Sequence, residues 1–226
     1  MFCTFFLNLF FFLILWRFTS HCGTQSTREF YVYTLLRYVD VDIYGSCGPL
    51  KCEFNITAGI STSECYDMLE RDYKFYLSFE NSICVDYVTE KFFAILDYNV
   101  VPVVLGGANY SRFAPPNSYI DALQYTPRQL ADYLKLLDSN QTLYEQYFEW
   151  KKHYVVHRGL RKMTKDAFCH LCEKLHNDGE QKVYNNLQET WSAEAQCSEP
   201  TFQHDFPSPF FDVQNLLLQM LSLWNS

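Results

Sequence analysis

Residues 73–105 read YKFYLSF (73–79), ENSICVD (80–86), YVTEKFFAILDY (87–98) and NVVPVVL (99–105), and this stretch decides the fold class. The first block is a short apolar run of strand-forming residues bounded by a polar loop. In the third, Val88, Phe92 and Ile95 recur at helical spacing, which predicts a helix over 87–98. VVPVVL (100–105) reads as a second buried strand, ended by Gly106-Gly107. Within it, Pro102 removes one ladder donor and predicts an edge strand or a bulge. Strand, helix and strand in that order make a βαβ unit with parallel strands and a right-handed crossover.

The same alternation extends upstream. LILWRFTS (13–20) is a short apolar run, and it leads into TQSTREFYVYTLLRYV (24–39). There Tyr31, Leu35, Tyr38 and Val39 fall at helical spacing, with Thr27 placed to cap the helix. VDIYG (41–45) reads as a strand, and 46–60 as a loop carrying Cys47 and Cys52. Ser61 and Glu64 fit a capping box ahead of a helix through Cys65, Met68 and Leu69.

Downstream, Thr126-Pro127-Arg128-Gln129 is a helix start, with Pro at the first helical position and Gln completing the box. Leu130, Tyr133, Leu134 and Leu137 form that helix's apolar stripe, and a further helix at about 143–154 carries Tyr147, Phe148 and Trp150. The pattern predicts an α/β fold, a Rossmann-like doubly wound parallel sheet with helices on both faces. It divides the chain into an apolar N-terminal segment (1–18), one domain (19–197) and a Pro-bearing tail (198–226) to which no function is assigned.

The net charge of −8 argues against a nucleic-acid backbone as partner but not against a nucleotide, which needs positive charge only locally. Nine Cys and three glycosylation sequons, at Asn55, Asn109 and Asn140, predict an oxidising, secretory-pathway setting. An odd Cys total leaves at least one thiol unpaired within the chain, and spacing does not fix the connectivity. The run Phe2 to Trp16 is shorter than the about 20 residues a membrane span needs. No basic residue precedes it, as one would in a signal peptide. It reads as a membrane or signal element, as a gene-model artefact, or, from Leu13 to Ser20, as a buried parallel strand. The expectation adopted is membrane association.

Ligands of open parallel sheets bind beyond the carboxyl ends of the strands. Three segments place polar residues there: Arg28 near the start of its helix, Glu80-Asn81-Ser82 after the YKFYLSF strand, and Tyr87, Glu90 and Lys91 opening the next helix. Arg28, Lys91 and a helix N-terminus suit an anionic diphosphate, and Glu90 suits ribose hydroxyls. The chain has neither a GxGxxG fingerprint nor a GxxxxGK[ST] loop. Asp40-Val-Asp42 matches a metal-binding DxD pattern, but it falls at a helix-to-strand junction and is not read as a metal site. Cys169-His170-Leu171-Cys172 is half a zinc site without a second pair, and His153, His157, His176 and His204 do not cluster.

YKFYLSFENS, DYVTEKFF and VPVVLGG in succession resemble the signature of the GDP-fucose-dependent α-1,3/4-fucosyltransferases, glycosyltransferase family 10. TQSTREFYVYTLLRYVDVDIYGSCG is similar to the segment that precedes that signature, and TPRQLADYLKLLDSNQTLYEQYFEWK and FCHLC to those that follow. The likeness runs from about Thr19 to Cys197 and looks closest to invertebrate members.

The resemblance implies the C-terminal, donor-binding half of a GT-B glycosyltransferase. Its donor contacts fall on Arg28, Tyr76, Asn81, Tyr87, Glu90 and Lys91, with no metal or other cofactor besides the donor substrate, GDP-fucose. Arg28 and Lys91 would neutralise the pyrophosphate, Glu90 and Tyr87 would hold the nucleoside and phosphate region, and Asn81 and Tyr76 would line the pocket. The implied reaction is inverting transfer of fucose to N-acetylglucosamine of glycoprotein glycans, on the lumenal side of the Golgi membrane.

In the family the catalytic base is a Glu of a separate N-terminal domain. No matching segment is found here, so no catalytic residue is assigned. The expectation is a fragment, a truncated gene model or a splice form, and the alternative reading is a catalytically incomplete GDP-fucose-binding fragment. The family's Cys pair matching Cys169 and Cys172 forms disulfides partly to that other domain, which implies that both lack their usual partners here.

Overall fold

Five strands run parallel in one sheet, in a computed structural model that describes residues 13–19, 22–52, 56–57, 60–61, 64–156, 160–179 and 183–198. In chain order the elements are β1 (Leu13–Thr19), α1 (Arg28–Leu35), β2 (Val41–Gly45), β3 (Ile56–Thr57), β4 (Ile60–Ser61), α2 (Glu64–Asp72) and β5 (Tyr73–Phe79). There follow α3 (Glu90–Phe93), β6 (Val101–Leu105), β7 (Ile120–Asp121), α4 (Pro127–Ser139), α5 (Gln141–Glu145), α6 (Leu160–Asn177) and α7 (Leu187–Ala195). The sheet order is β2-β1-β5-β6-β7, while β3 and β4 form a separate antiparallel hairpin. The chain therefore runs outward from β1 to β2, returns to the other side of β1, and proceeds outward again. That places a topological switch point between β1 and β5, where ligands of doubly wound folds bind.

Strands β5 and β6 are buried along nearly their whole length instead of alternating, because both faces of the sheet are covered. Phe75, Leu77 and Phe79 with Val101, Val103 and Leu105 join the main core, which Tyr31, Val32 and Leu35 of α1 and Leu130, Ala131, Leu134 and Leu137 of α4 close. On the other face Tyr76 packs with Leu69, Ile95, Tyr98 and Val100, and Val104 with Phe92, Tyr110 and Trp150. α4 begins on the expected capping box: the Thr126 hydroxyl accepts from the Gln129 amide, and the Gln129 side chain accepts from the Thr126 amide.

Several expectations change. Residues 13–19 are a strand of the sheet, the third of the readings open for the apolar run, so the boundary drawn between 18 and 19 cuts through β1. Residues 1–12 lie outside the described part, as does the tail from residue 199. β6 is not an edge strand. Its neighbour β7, however, pairs only with Val103 and Val104, so Pro102 has a ladder partner, Tyr76, on one side alone, and no second-side donor is demanded of it.

The helix predicted over 87–98 is one α-turn, Glu90–Phe93, followed by a 3-10 turn, Ile95–Asp97. Burying Phe92 and Ile95 in two different clusters outweighs the regular helical repeat. Similarly, α5 continues into a 3-10 segment, Gln146–Lys152. The expected loop 46–60 contains the β3–β4 hairpin, and Ser61 belongs to β4, with residues 62–63 outside the described part and Glu64 opening α2. Thr27 does precede α1, but at φ 47°, and its hydroxyl makes no capping bond.

Among the described residues, which leave out Cys3, disulfides join Cys22 to Cys47, Cys52 to Cys65 and Cys84 to Cys197, and Cys169 and Cys172 are free and exposed. The first bridges the segments after β1 and β2, and the third ties the loop after β5 to the chain beyond α7.

Leu134 is fully buried between α4 and the sheet, so Leu134→Ala is expected to cost about 3 kcal/mol, and Thr126→Ala about 1 kcal/mol. Urea unfolding monitored by circular dichroism checks both. Equal losses would mean that the cap anchors α4 as much as the stripe does.

Candidate functional site

The groups that need partners at the switch point are those where β5 ends. The Phe79 carbonyl accepts from Arg28 Nη1 at 2.7 Å. The next residue, Glu80, is fully buried, and burying a carboxylate is costly unless it is paired and hydrogen-bonded. Thr89 donates to it twice, from its backbone amide to Oε1 at 2.8 Å and from its hydroxyl to Oε2 at 2.8 Å, and Lys91 Nζ stands 3.4 Å from Oε2. Lys91 also donates to the Thr89 hydroxyl at 2.8 Å. From the other side Ser26 donates its hydroxyl to the Glu80 carbonyl at 2.7 Å and its amide to the Asn81 carbonyl at 2.9 Å. The segment after β1 is thereby stitched to the end of β5.

Arg28 and Lys91 reach this point from opposite faces of the sheet. Arg28 is the first residue of α1, which packs on the Phe75–Leu77–Phe79 face. Lys91 belongs to α3 on the other face, where its carbonyl accepts from the Ser78 hydroxyl at 2.8 Å. They converge on consecutive residues, Phe79 and Glu80. Their accessibility differs. The Arg28 guanidinium is 2% exposed and pairs with Glu29 at 3.1 Å, whereas Lys91 keeps 19% of its side chain exposed.

The other expected residues divide. Asn81 lies on the same rim, half-buried, and its side-chain carbonyl oxygen is buried without a hydrogen-bond partner. Tyr87 is half-buried in the loop that carries the chain to α3. Glu90 is 79% exposed at the start of α3, with Oε1 3.5 Å from Lys91 Nζ. Tyr76 lies three residues back along β5, inside the apolar cluster with Leu69 and Ile95, and is not brought to the rim with the others. Of the sequons, Asn109 and Asn140 are exposed and cap the short helical turns that follow them, while Asn55 lies outside the described residues.

Sequence reasoning overlooked Ser26, Thr89 and Tyr110. Thr89 had a legible signal, since a hydroxyl immediately before Glu-Lys at a helix start is an N-cap pattern. In the fold its hydroxyl serves Glu80 and not its own helix. Tyr110 is 3% exposed, and its hydroxyl has no hydrogen-bond partner. Burial, then the charges of Glu80 and Asp121, push that hydroxyl's pKa far up, so it stays protonated and remains a donor.

The expected helix-dipole contribution is smaller than the sequence reading assumed. α3 is a single turn and the Thr89 amide already serves Glu80. Positive charge at the rim thus comes from the Lys91 ammonium, backed by the buried Arg28. Asp42 of the DxD pattern accepts from the Tyr73 hydroxyl at 2.6 Å at the opposite, amino-terminal end of β5. Among the described residues no cluster of three or more His, Cys, Asp or Glu could hold a metal ion.

Residues 13–191 match the family model described as glycosyltransferase family 10 (fucosyltransferase), C-terminal region. The chain is 44% identical over 178 residues to alpha-(1,3)-fucosyltransferase C of Drosophila melanogaster, covering 77% of this chain and 39% of that protein. It is 40% identical over 185 residues to alpha-(1,3)-fucosyltransferase fut-1 of Caenorhabditis elegans, covering 78% and 40%. Its matched part thus spans about two fifths of the length of these relatives. A crystal structure of α1,3-fucosyltransferase with GDP-fucose shares the fold at a TM-score of 0.54 and 19% identity, over 78% of this chain and 50% of that one. The match to the family model, spanning the sheet and every residue of the rim, places this chain in glycosyltransferase family 10, the fucosyltransferases, of which it carries the C-terminal region.

Proposed function

We propose that this chain supplies the donor side of an α-1,3-fucosyltransferase. It binds GDP-fucose across the ends of β1 and β5, and the enzyme transfers fucose, with inversion and without a metal, to N-acetylglucosamine of glycoprotein glycans. The observation that carries this reading is the convergence of Arg28 and Lys91, from opposite sheet faces, on the consecutive residues Phe79 and Glu80 at the switch point.

In this reading the Lys91 ammonium, the accessible cation of the pair, meets the diphosphate directly. Arg28 adds its charge from beneath the loop and holds the loop in register. As the bond to the anomeric carbon breaks, negative charge grows on the departing GDP. A fixed ammonium in a partly water-excluded rim stabilises that charge more than it stabilises the intact donor. Glu90, exposed at the start of α3, is placed to accept from ribose hydroxyls, and Asn81 and Tyr87 complete the rim. The acceptor hydroxyl must lose its proton to a base, and none of the described residues is assigned that role.

Three disulfides among the described residues, and exposed sequons at Asn109 and Asn140, support a place on the lumenal side of the Golgi membrane. Among the described residues no helix is long and apolar enough to cross a membrane, and no anchoring segment is assigned. A mass shift on peptide-N-glycosidase treatment of protein secreted by eukaryotic cells is the expected outcome. Unmodified Asn109 and Asn140 would remove the sequons from the argument.

Calorimetric titration with GDP and GDP-fucose tests the site. Lys91→Met is expected to weaken both by about tenfold or more. Arg28→Ala should also lower thermal stability, by about 3 kcal/mol, because a buried pair loses one partner. Unchanged affinity in the double variant would refute the donor site.

A further inference from the structure

Among the described residues Glu80 is the one fully buried carboxylate, and the reaction proposed above makes no use of it. It cannot touch a ligand, yet it determines where two groups stand that can. Its bonds to Thr89, at 2.8 to 3.0 Å, are ordinary to short, while the Lys91 ammonium stands at 3.4 Å, longer than the usual charge-assisted bond. Thr89 therefore fixes the carboxylate and also accepts the short bond from Lys91 Nζ, at 2.8 Å, so Glu80 acts on the ammonium by charge and, through Thr89, by position. Packing fixes the carboxylate from behind. A Cβ on Gly106 would collide with the Tyr110 hydroxyl and stand 3.3 Å from Glu80 Cγ, so no other residue fits there without displacing both. That hydroxyl is 97% buried with its residue, has no hydrogen-bond partner, and stands on the side of Gly106 that faces Glu80.

We infer that Glu80 is a positioning residue: with Thr89 it holds the Lys91 ammonium at the rim, aimed to meet the β-phosphate of a nucleoside diphosphate. The inference rests on the donor-site reading. Charge alone would favour removing Glu80, since a carboxylate repels a diphosphate. Geometry opposes this: without the carboxylate a long, flexible ammonium side chain has several orientations, and ordering one of them costs entropy on binding. A Glu80 amide would also present N–H groups to Thr89 or Lys91, leaving one donor facing another.

The test is titration of the whole chain and its variants with GDP and with GMP, which lacks the β-phosphate. Glu80→Gln is expected to weaken GDP about tenfold and GMP little. On a Lys91→Met background it should add almost nothing, because both changes remove the same contact. Equal loss of GDP and GMP would mean that Glu80 only supports the loop, and losses that multiply in the double variant would mean that it acts without Lys91. Either result overturns the inference while leaving the donor site standing. Absence of GDP binding by the unmodified chain would overturn both. Should Glu80→Gln fail to fold, Thr89→Ala removes one of the carboxylate's anchors. It is expected to lower the GDP-to-GMP preference several-fold, and an unchanged preference would equally reject the inference.

Discussion

A parallel strand covered on both faces ends in a place that water does not reach, and whatever polar groups stand there must be answered by the chain itself. At β5 those groups are the Phe79 carbonyl and the Glu80 carboxylate. Every segment at the switch point is arranged around them. Ser26 and Arg28 come from the segment after β1, Thr89 and Lys91 from the segment after β5, and Gly106 and Tyr110 from the segment after β6. Ser26, 54 residues away, bonds the Glu80 backbone carbonyl and Arg28 the Phe79 carbonyl, while Thr89 and Lys91 bond the Glu80 carboxylate, so the end of β5 is the point the three segments share.

The same constraint places two cations, Arg28 and Lys91, at the rim of a chain of net charge −8, each beside a carboxylate. A buried carboxylate recruits cations, and a cation drawn to the edge of a sheet is exposed on its other side. Arg28 and Lys91 express two solutions to that requirement. Arg28 is wholly enclosed and committed to a backbone carbonyl and to Glu29. Lys91 is enclosed on one side only. An enclosed guanidinium sets the shape of a site, and a half-enclosed ammonium is able to exchange partners when an anion arrives. Local charge therefore follows from the fold's own polar accounting, and global charge says little about what such a site accepts.

Much of the frame was legible because its signals are local. The strand Tyr73–Phe79, the strand ending at Gly106-Gly107 and the capped start of α4 depend on neighbours within a few residues. Arg28, Asn81 and Lys91 were legible as well, since each sits at a predicted strand end or helix start. Long-range demands escaped the sequence. The helix over 87–98 breaks because Phe92 and Ile95 must fill separate clusters on the covered face. Tyr76 looked like a pocket residue, yet the pleat directs it into the core with Leu69. Pro102 suggested an edge and was accommodated inside the sheet, since β7 is too short to reach it. Tyr110 lies 30 positions beyond Glu80, and no spacing rule connects the two.

The wall of the site is held partly by covalent chemistry. The loop after β5 presses its Cys84 backbone so closely against Gly107 that a Cβ there would stand 2.7 Å from the Cys84 carbonyl oxygen. The same Cys84 is bridged to Cys197, and the bond is flanked by Val85 N–H to the Ala195 carbonyl and Ser198 N–H to the Ile83 carbonyl. α7 buries none of its residues, and Trp191 is 74% exposed, so apolar packing does not attach it. Its attachment rests on one disulfide and a few backbone hydrogen bonds, each of the latter contributing only about 1 kcal/mol net. The bridge closes 113 residues, where a chain-entropy account gives cross-links their greatest effect on the unfolded state. The disulfide thus joins the loop that follows Glu80 to the chain beyond α7, and disulfides of this kind persist where thiols are kept oxidised.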